Sequence, residues 1–219
     1  MQFELTKKYI SELQECLNSN LKADLLNEVN QIHPADIADI CDELETEEVV
    51  LLYQCLDDEV AADVLIELEE DVREKLLRNL SPREIAENFI DNMDSDDAAD
   101  IMAELSDDKK DQVISAITDA DLASDIVDLL HYPEDSAGGL MAKELIKVRI
   151  NWTLIQCLRE MRKQAEDIED VYTIYVVDNE NKLIGTLSLK QLLLAPSGAT
   201  VKDLYFDEVR SAKAYEEAE

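Results

Sequence analysis

A seven-residue pattern returns along the first half of the chain and fixes what that half can become. Ala38-Asp39-Ile40-Cys41-Asp42-Glu43-Leu44 recurs as Ala62-Asp63-Val64-Leu65-Ile66-Glu67-Leu68 and as Ala99-Asp100-Ile101-Met102-Ala103-Glu104-Leu105. Weaker copies start at Ala86 and at Ser124. The copies at Ala38, Ala62 and Ala86 follow one another at about 24 residues, the length of one short helix pair. Apolar residues fall at i, i+3, i+4 and i+7: Ile37, Ile40, Cys41 and Leu44, then Ala98, Ile101, Met102 and Leu105. That spacing makes one apolar stripe on an α-helix. Short helices striped in this way bury one another by stacking, which predicts a mainly α, armadillo-like α-solenoid.

Companion helices are expected between the copies, around residues 48–56, 72–80 and 109–117. Ser81-Pro82-Arg83-Glu84 has an N-cap Ser, Pro at the first helical position and Glu three residues on, a complete capping box. Thr46, Ser95, Ser106 and Thr118 are read as caps of the same kind.

The charge sits on the repeats. Residues 36–135 hold 33 of the 52 Asp and Glu but only six of the 20 Lys and Arg, so the net −32 is largely theirs. A chain this acidic does not suit nucleic acid or anionic lipid, which select basic patches. The 46% hydrophobic fraction supplies a packed core, so the acidity is not a sign of disorder. The composition changes near Tyr132-Pro133-Glu134-Asp135-Ser136-Ala137-Gly138-Gly139, where Pro and paired Gly break local structure.

Beyond that junction the pattern becomes α+β. An amphipathic helix is expected at 152–163, a β-branched and aromatic strand at 171–177, and a turn at Asp178-Asn179-Glu180-Asn181. A returning strand at 183–188 and a short helix at 189–194 follow. Residues 211–219 begin like another helix and stop, so the chain is expected to be part of something longer. No signal peptide is visible at the N-terminus, and no apolar run reaches the roughly 18 residues of a membrane span. Cys16, Cys41, Cys55 and Cys157 form no CxxC pair and read as free thiols of a reducing compartment.

Enzyme motifs are missing: there is no Gly-rich phosphate loop, no HExxH and no GxSxG. Carboxylate clusters are the remaining chemistry. Asp94-Ser95-Asp96-Asp97-Ala98-Ala99-Asp100 puts Asp96 and Asp100 one helical turn apart, with Asp97 and Asp100 at i, i+3. Such a face suits loose, water-mediated Mg2+ binding, in which the ion keeps most of its waters. It also suits a plain solvated helix start, where acidic residues complement the helix dipole. Spacing alone favours the solvated helix start, because the segment lacks the Gly and ordered spacing of a Ca2+ loop.

Together these segments resemble the MgtE-type magnesium transporters. The resemblance lies in the order of acidic repeats, then Tyr132-Pro133-Glu134-Asp135-Ser136-Ala137-Gly138-Gly139-Leu140-Met141, then a strand–helix–hairpin module. Ile32-His33-Pro34-Ala35-Asp36 and Asp96-Asp97-Ala98-Ala99-Asp100 agree with it as repeat entries. It implies an acidic helical-repeat N domain over 1–131, a junction at 132–140, a first CBS module over 141–200 and the start of a truncated second one at 201–219. It further implies a cytosolic Mg2+-sensing regulatory region, not an enzyme. Mg2+ bound between the N domain and the CBS modules would offset carboxylate repulsion and favour a closed pore. The metal ligands carried over are Asp63, Asp96 and Asp100.

The implied partners are Mg2+, a transmembrane pore domain and a second CBS module of the same protein, and a second copy in a homodimer, with no nucleic acid. The implied location is the cytoplasmic side of the membrane. Some CBS modules hold adenine nucleotides through the last Asp of Gly-x-x-Ser/Thr-x-x-Asp. Here Gly185-Thr186-Leu187-Ser188-Leu189-Lys190 ends on Gln191, so no nucleotide is expected. The alternative function is an armadillo-like interaction scaffold without ion sensing, which explains the repeats but neither the junction motif nor the module after it.

Overall fold

The structure, a computed structural model, describes residues 5–19, 28–165, 168, 171, 173–196 and 198–217. The chain divides into two units, Met1–Glu134 and Asp135–Glu219.

The first unit is helical. It contains α1 (Lys7–Ser19), α2 (Pro34–Asp42), α3 (Thr46–Tyr53), α4 (Asp58–Glu67), α5 (Glu70–Asn79), α6 (Pro82–Asn88), α7 (Ser95–Ala103), α8 (Asp107–Ile114) and α9 (Ala120–Leu129). Helices pack on the helix two along: α1 on α3, α3 on α5, α2 on α4, α4 on α6, α6 on α8 and α7 on α9. This is the stacking that the striped repeats require. Ile37, Ile40 and Cys41 of the first copy are buried, as are Ala98, Ile101 and Met102 of the later one.

Two departures have local causes. After the copy at Ala86, α6 ends and a 3-10 turn, Ile90–Asn92, leads directly into α7. The next copy therefore begins at Ala99, breaking the earlier repeat interval. Several caps also differ from expectation. Ser81 caps α6, accepting from Glu84 N at 3.2 Å while its own N–H donates to Glu84 Oε2 at 2.8 Å. Ser106 is the N-cap of α8 by position. At α3, α7 and α9, however, the N-caps are Glu45, Asp94 and Asp119. Thr46 and Ser95 are already helical, and Thr118 instead donates its hydroxyl to Asp91 Oδ2 at 2.7 Å. Lys109 turns inward and donates to the carbonyls of Leu77 and Leu80, at 2.5 and 2.9 Å, closing the end of α5.

The second unit is a small α+β module: β1 (Ile146–Arg149), α10 (Leu154–Gln164), β2 (Ile174–Val177), β3 (Leu183–Leu187) and α11 (Leu189–Leu194). The sheet order is β1-β2-β3. β1 and β2 are parallel, with Ile146 opposite Ile174, and α10 forms the crossover between them. β2 and β3 are antiparallel, with Ile174 opposite Leu187. Ile146, Val148, Cys157, Met161, Ile174, Val176 and Leu187 make the core. The residue pattern by itself assigns no strand before the helix, whereas the family resemblance implies one, and β1 is that strand. The strand expected at 171–177 is assigned at Ile174–Val177, with residue 172 outside the described residues. The described tail, 211–217, forms a turn and no helix; residues 218–219 lie outside the described residues.

Side chains and a following segment close the sheet. Gln164 Oε1 accepts from Lys147 N at 2.9 Å and its Nε2 donates to Lys147 O at 3.0 Å. Trp152 N donates to Arg149 O at 3.0 Å. Beyond β3, Thr186 exchanges two backbone bonds with Phe206, at 3.0 and 2.8 Å. Gly185 permits that approach: a Cβ there would stand 2.1 Å from Phe206 O and 2.5 Å from Tyr205 Cδ2.

Candidate functional site

The acidic face of the helical unit is built from two repeat helices. On α4, Asp63 lies one turn from Glu59 and one turn from Glu67. Its carboxyl is raised above the usual range by partial loss of water and by those two neighbours, while His33 pulls it the other way. His33 is held at the N-cap of α2, where Nδ1 accepts from Ala35 N at 3.3 Å and Pro34 fixes the first helical position. On α7, Asp94 is the N-cap, Ser95 is fully buried, and Asp96 and Asp97 are half-buried.

The field of this face converges on Asp97. Burial first, and then Asp96, Asp94, Asp100 and Asp63, push its carboxyl up to about 6. Asp100 is also raised, by loss of water and then by Glu134, Asp96 and Glu104, with Arg73 opposing them. Asp63 of one repeat therefore reaches the Asp96–Asp100 turn of another only through Asp97, as the weakest of the charges acting on it. In the sequence Asp97 stands out only as an i, i+3 neighbour. Its weight comes first from partial burial, which spacing does not reveal, then from Asp96, Asp94 and Asp100 on its own turn, with Asp63 across the repeat contributing least.

Arg73 on α5 brings a positive charge into this region. Its side chain is 15% exposed and that of its partner Glu104 is 25% exposed. Nε donates to Glu104 Oε1 and Oε2 at 3.1 and 3.0 Å, and Nη2 to Oε1 at 2.6 Å. Nη1 donates to the carbonyls of Leu65, Ile66 and Leu68 at 3.3, 3.1 and 3.2 Å. Thirty-one residues separate Arg73 from Glu104, so no local pattern announces the pair.

A second acidic recess, a cavity of about 320 Å³, is lined by Cys41, Asp42, Thr46, Val49, Glu69, Asp71 and Lys75 among others. Loss of water, then Glu69, Asp39, Asp71 and Glu43, raise the Asp42 carboxyl. Lys75 pairs with Asp71 at 2.9 Å, so part of this recess already has its counter-charge.

Chemically, the Asp63–Asp97–Asp100 face offers only hard oxygen donors in excess of positive charge. That set suits a divalent cation carrying its own waters. In the α+β unit, Gln191 Oε1 is buried without a hydrogen-bond partner among the described residues. Among the described residues, no helix is long and apolar enough to cross a membrane.

Comparison with known proteins agrees with this layout. The family model described as the MgtE intracellular N domain matches residues 32–135, and the CBS domain model matches residues 137–198. The magnesium transporter MgtE of Thermus thermophilus is 32% identical over 201 residues, which is 91% of this chain and 45% of that protein. The Enterococcus faecalis MgtE is 32% identical over 92 residues, 42% of this chain and 20% of that one. The chain therefore spans less than half the length of these curated relatives. A crystal structure of the cytosolic domain of the Mg2+ channel MgtE in complex with ATP superposes with a TM-score of 0.84 at 31% identity, covering 95% of this chain and 84% of that one. The soluble part of a magnesium transporter gives 0.78 at 25% identity, covering 96% and 82%.

Proposed function

Because the chain belongs to the MgtE family of magnesium transporters, joining an MgtE N domain to a CBS domain, we propose that it is a cytosolic Mg2+-sensing regulatory region of such a transporter. The observation that carries this reading is the acidic first turn of α7, where the half-buried Asp97 stands among Asp94, Asp96 and Asp100 and feels Asp63 of another repeat more weakly. Like charges held this close are costly, and a divalent ion reverses the sign of the local field. Asp63, Asp96 and Asp100 are the proposed ligands, with Mg2+ keeping several waters.

In this reading the ion also draws on the CBS modules, and its binding favours the arrangement in which the pore is closed. Low Mg2+ releases that bias, a population shift whose size is set by the difference in Mg2+ affinity between the two states. The proposed divisions are an N domain at 1–131, a junction at 132–140, a first CBS module at 141–200 and the start of a second at 201–219. The proposed partners are that second module, a transmembrane pore domain and a second copy of the chain. Ile155, Leu193 and Leu194 of the α+β unit, 82%, 69% and 75% exposed, offer apolar surface for such packing. A scaffold without ion sensing accounts for the helices but gives no role to the CBS domain.

Titration of the chain with MgCl2 against NaCl at equal ionic strength tests the reading. Millimolar Mg2+ is expected to raise the melting temperature above the NaCl control, because a ligand bound only by the folded state stabilises it. Asp96→Ala with Asp100→Ala is expected to remove most of that difference while leaving helical content unchanged. Equal effects of the two salts on the parent chain would sink the sensing role, and an unaltered response in the double variant would remove these two ligands.

A further inference from the structure

We infer that Arg73 is the positioning residue of the acidic face: its guanidinium sets the spacing between the helix bearing Asp63 and the helix bearing Asp96, Asp97 and Asp100. The inference rests on reading that face as a Mg2+ site. One edge of the guanidinium grips the end of α4, through Leu65, Ile66 and Leu68 carbonyls. Another edge grips Glu104, the C-cap residue of α7, through both carboxylate oxygens. Asp100 lies one turn before Glu104 on α7, and Asp63 one turn before Glu67 on α4. A single planar group, mostly buried, therefore holds both ligand-bearing helices by their C-terminal ends.

Lys109 shows what closing a helix end requires without this second task. Its ammonium satisfies the Leu77 and Leu80 carbonyls, and no ion pair to a carboxylate accompanies it among the described residues. An ammonium is enough for carbonyls, whereas holding a carboxylate by both oxygens takes the fixed fork of an arginine. Arginine at position 73 thus meets a demand beyond capping.

Electrostatics and positioning make opposite predictions here. Removing a positive charge beside Asp100 deepens the negative field, so charge alone predicts tighter Mg2+ binding in Arg73→Gln. Positioning predicts weaker binding, because α4 and α7 lose their common anchor. The test is calorimetric titration of the 219-residue chain with MgCl2 at constant ionic strength, alongside far-UV circular dichroism and metal-free melting. Arg73→Lys keeps the charge and can cap α4 but lacks the fork. Both variants are expected to bind Mg2+ at least about fivefold more weakly than the parent, within the range of coupling energies between linked sites.

Parent-like or tighter affinity in Arg73→Lys overturns the inference, even where its metal-free melting temperature falls, since that pattern marks a purely structural role. If Arg73→Gln loses its helical signal, Arg73→Lys decides alone. A parent chain with no Mg2+-specific heat overturns the sensing reading itself. A responding parent with unchanged variants overturns only the role of Arg73.

Discussion

Ionised Asp97 sits in the field of four other carboxylates with part of its water removed, and that arrangement has a thermodynamic sign. In an unfolded chain an Asp titrates near 3.9; in the folded protein Asp97 titrates at about 6. Between those values the folded state holds a proton that the unfolded state has lost, so stability falls as pH rises from about 4 through about 6 and stays lower above it. Asp63, Asp100 and Asp42 are raised and act in the same direction. In metal-free buffer the helical unit is therefore expected to melt at a higher temperature at about pH 5 than at about pH 7.5. Asp97→Asn should flatten that slope, and an unaltered slope would remove Asp97 as its source. The turn holding Asp96, Asp97 and Asp100 was legible, because helical spacing alone places them. The contribution of Asp63 was not derivable from spacing, since it crosses from another repeat, and Arg73 was invisible for the same reason.

At the scale of elements, two substitutions separate local from tertiary causes. Ser81→Ala removes the side-chain half of the α6 capping box and is expected to cost about 1 kcal/mol, read as a lower denaturant midpoint with an unchanged m-value. Gly185→Ala forces a methyl group against the Phe206 carbonyl. It should displace residues 205–206 from β3 or cost about 1–3 kcal/mol, as overpacking does; amide exchange at Thr186 and Phe206 distinguishes the two. The helices were readable because Ile37, Ile40, Cys41 and their counterparts are buried where a 3.6-residue period puts them. β1 was harder to read. Ile146 and Val148 are buried while Lys147 and Arg149 are exposed, an alternation only four residues long that becomes a strand through pairing with β2. The break in repeat phase between Ala86 and Ala99 likewise follows from the 3-10 turn after α6, for which the apolar pattern carries no signal.

For the whole molecule the main asymmetry is charge. Residues 36–135 carry 33 acids against six bases, and the remainder 19 against 14, so self-repulsion belongs mainly to the helical unit. Raising NaCl toward about 1 M, where the screening length is about 3 Å, is expected to move the helical melting transition upward. The chain has one tryptophan, Trp152, packed against the core of the α+β unit. Its fluorescence should report a transition that moves much less than far-UV circular dichroism does, and equal movement of the two probes would contradict the asymmetry. The small sheet sets a different boundary on assembly. Gln164 and Trp152 already engage backbone groups on the outer side of β1, and Phe206 occupies the outer side of β3. Recruitment by β-augmentation would first have to displace one of these, so the sheet is poorly templated for adding a foreign strand or growing edge to edge. Partners of this unit are accordingly expected to meet it side chain to side chain, across helical surfaces.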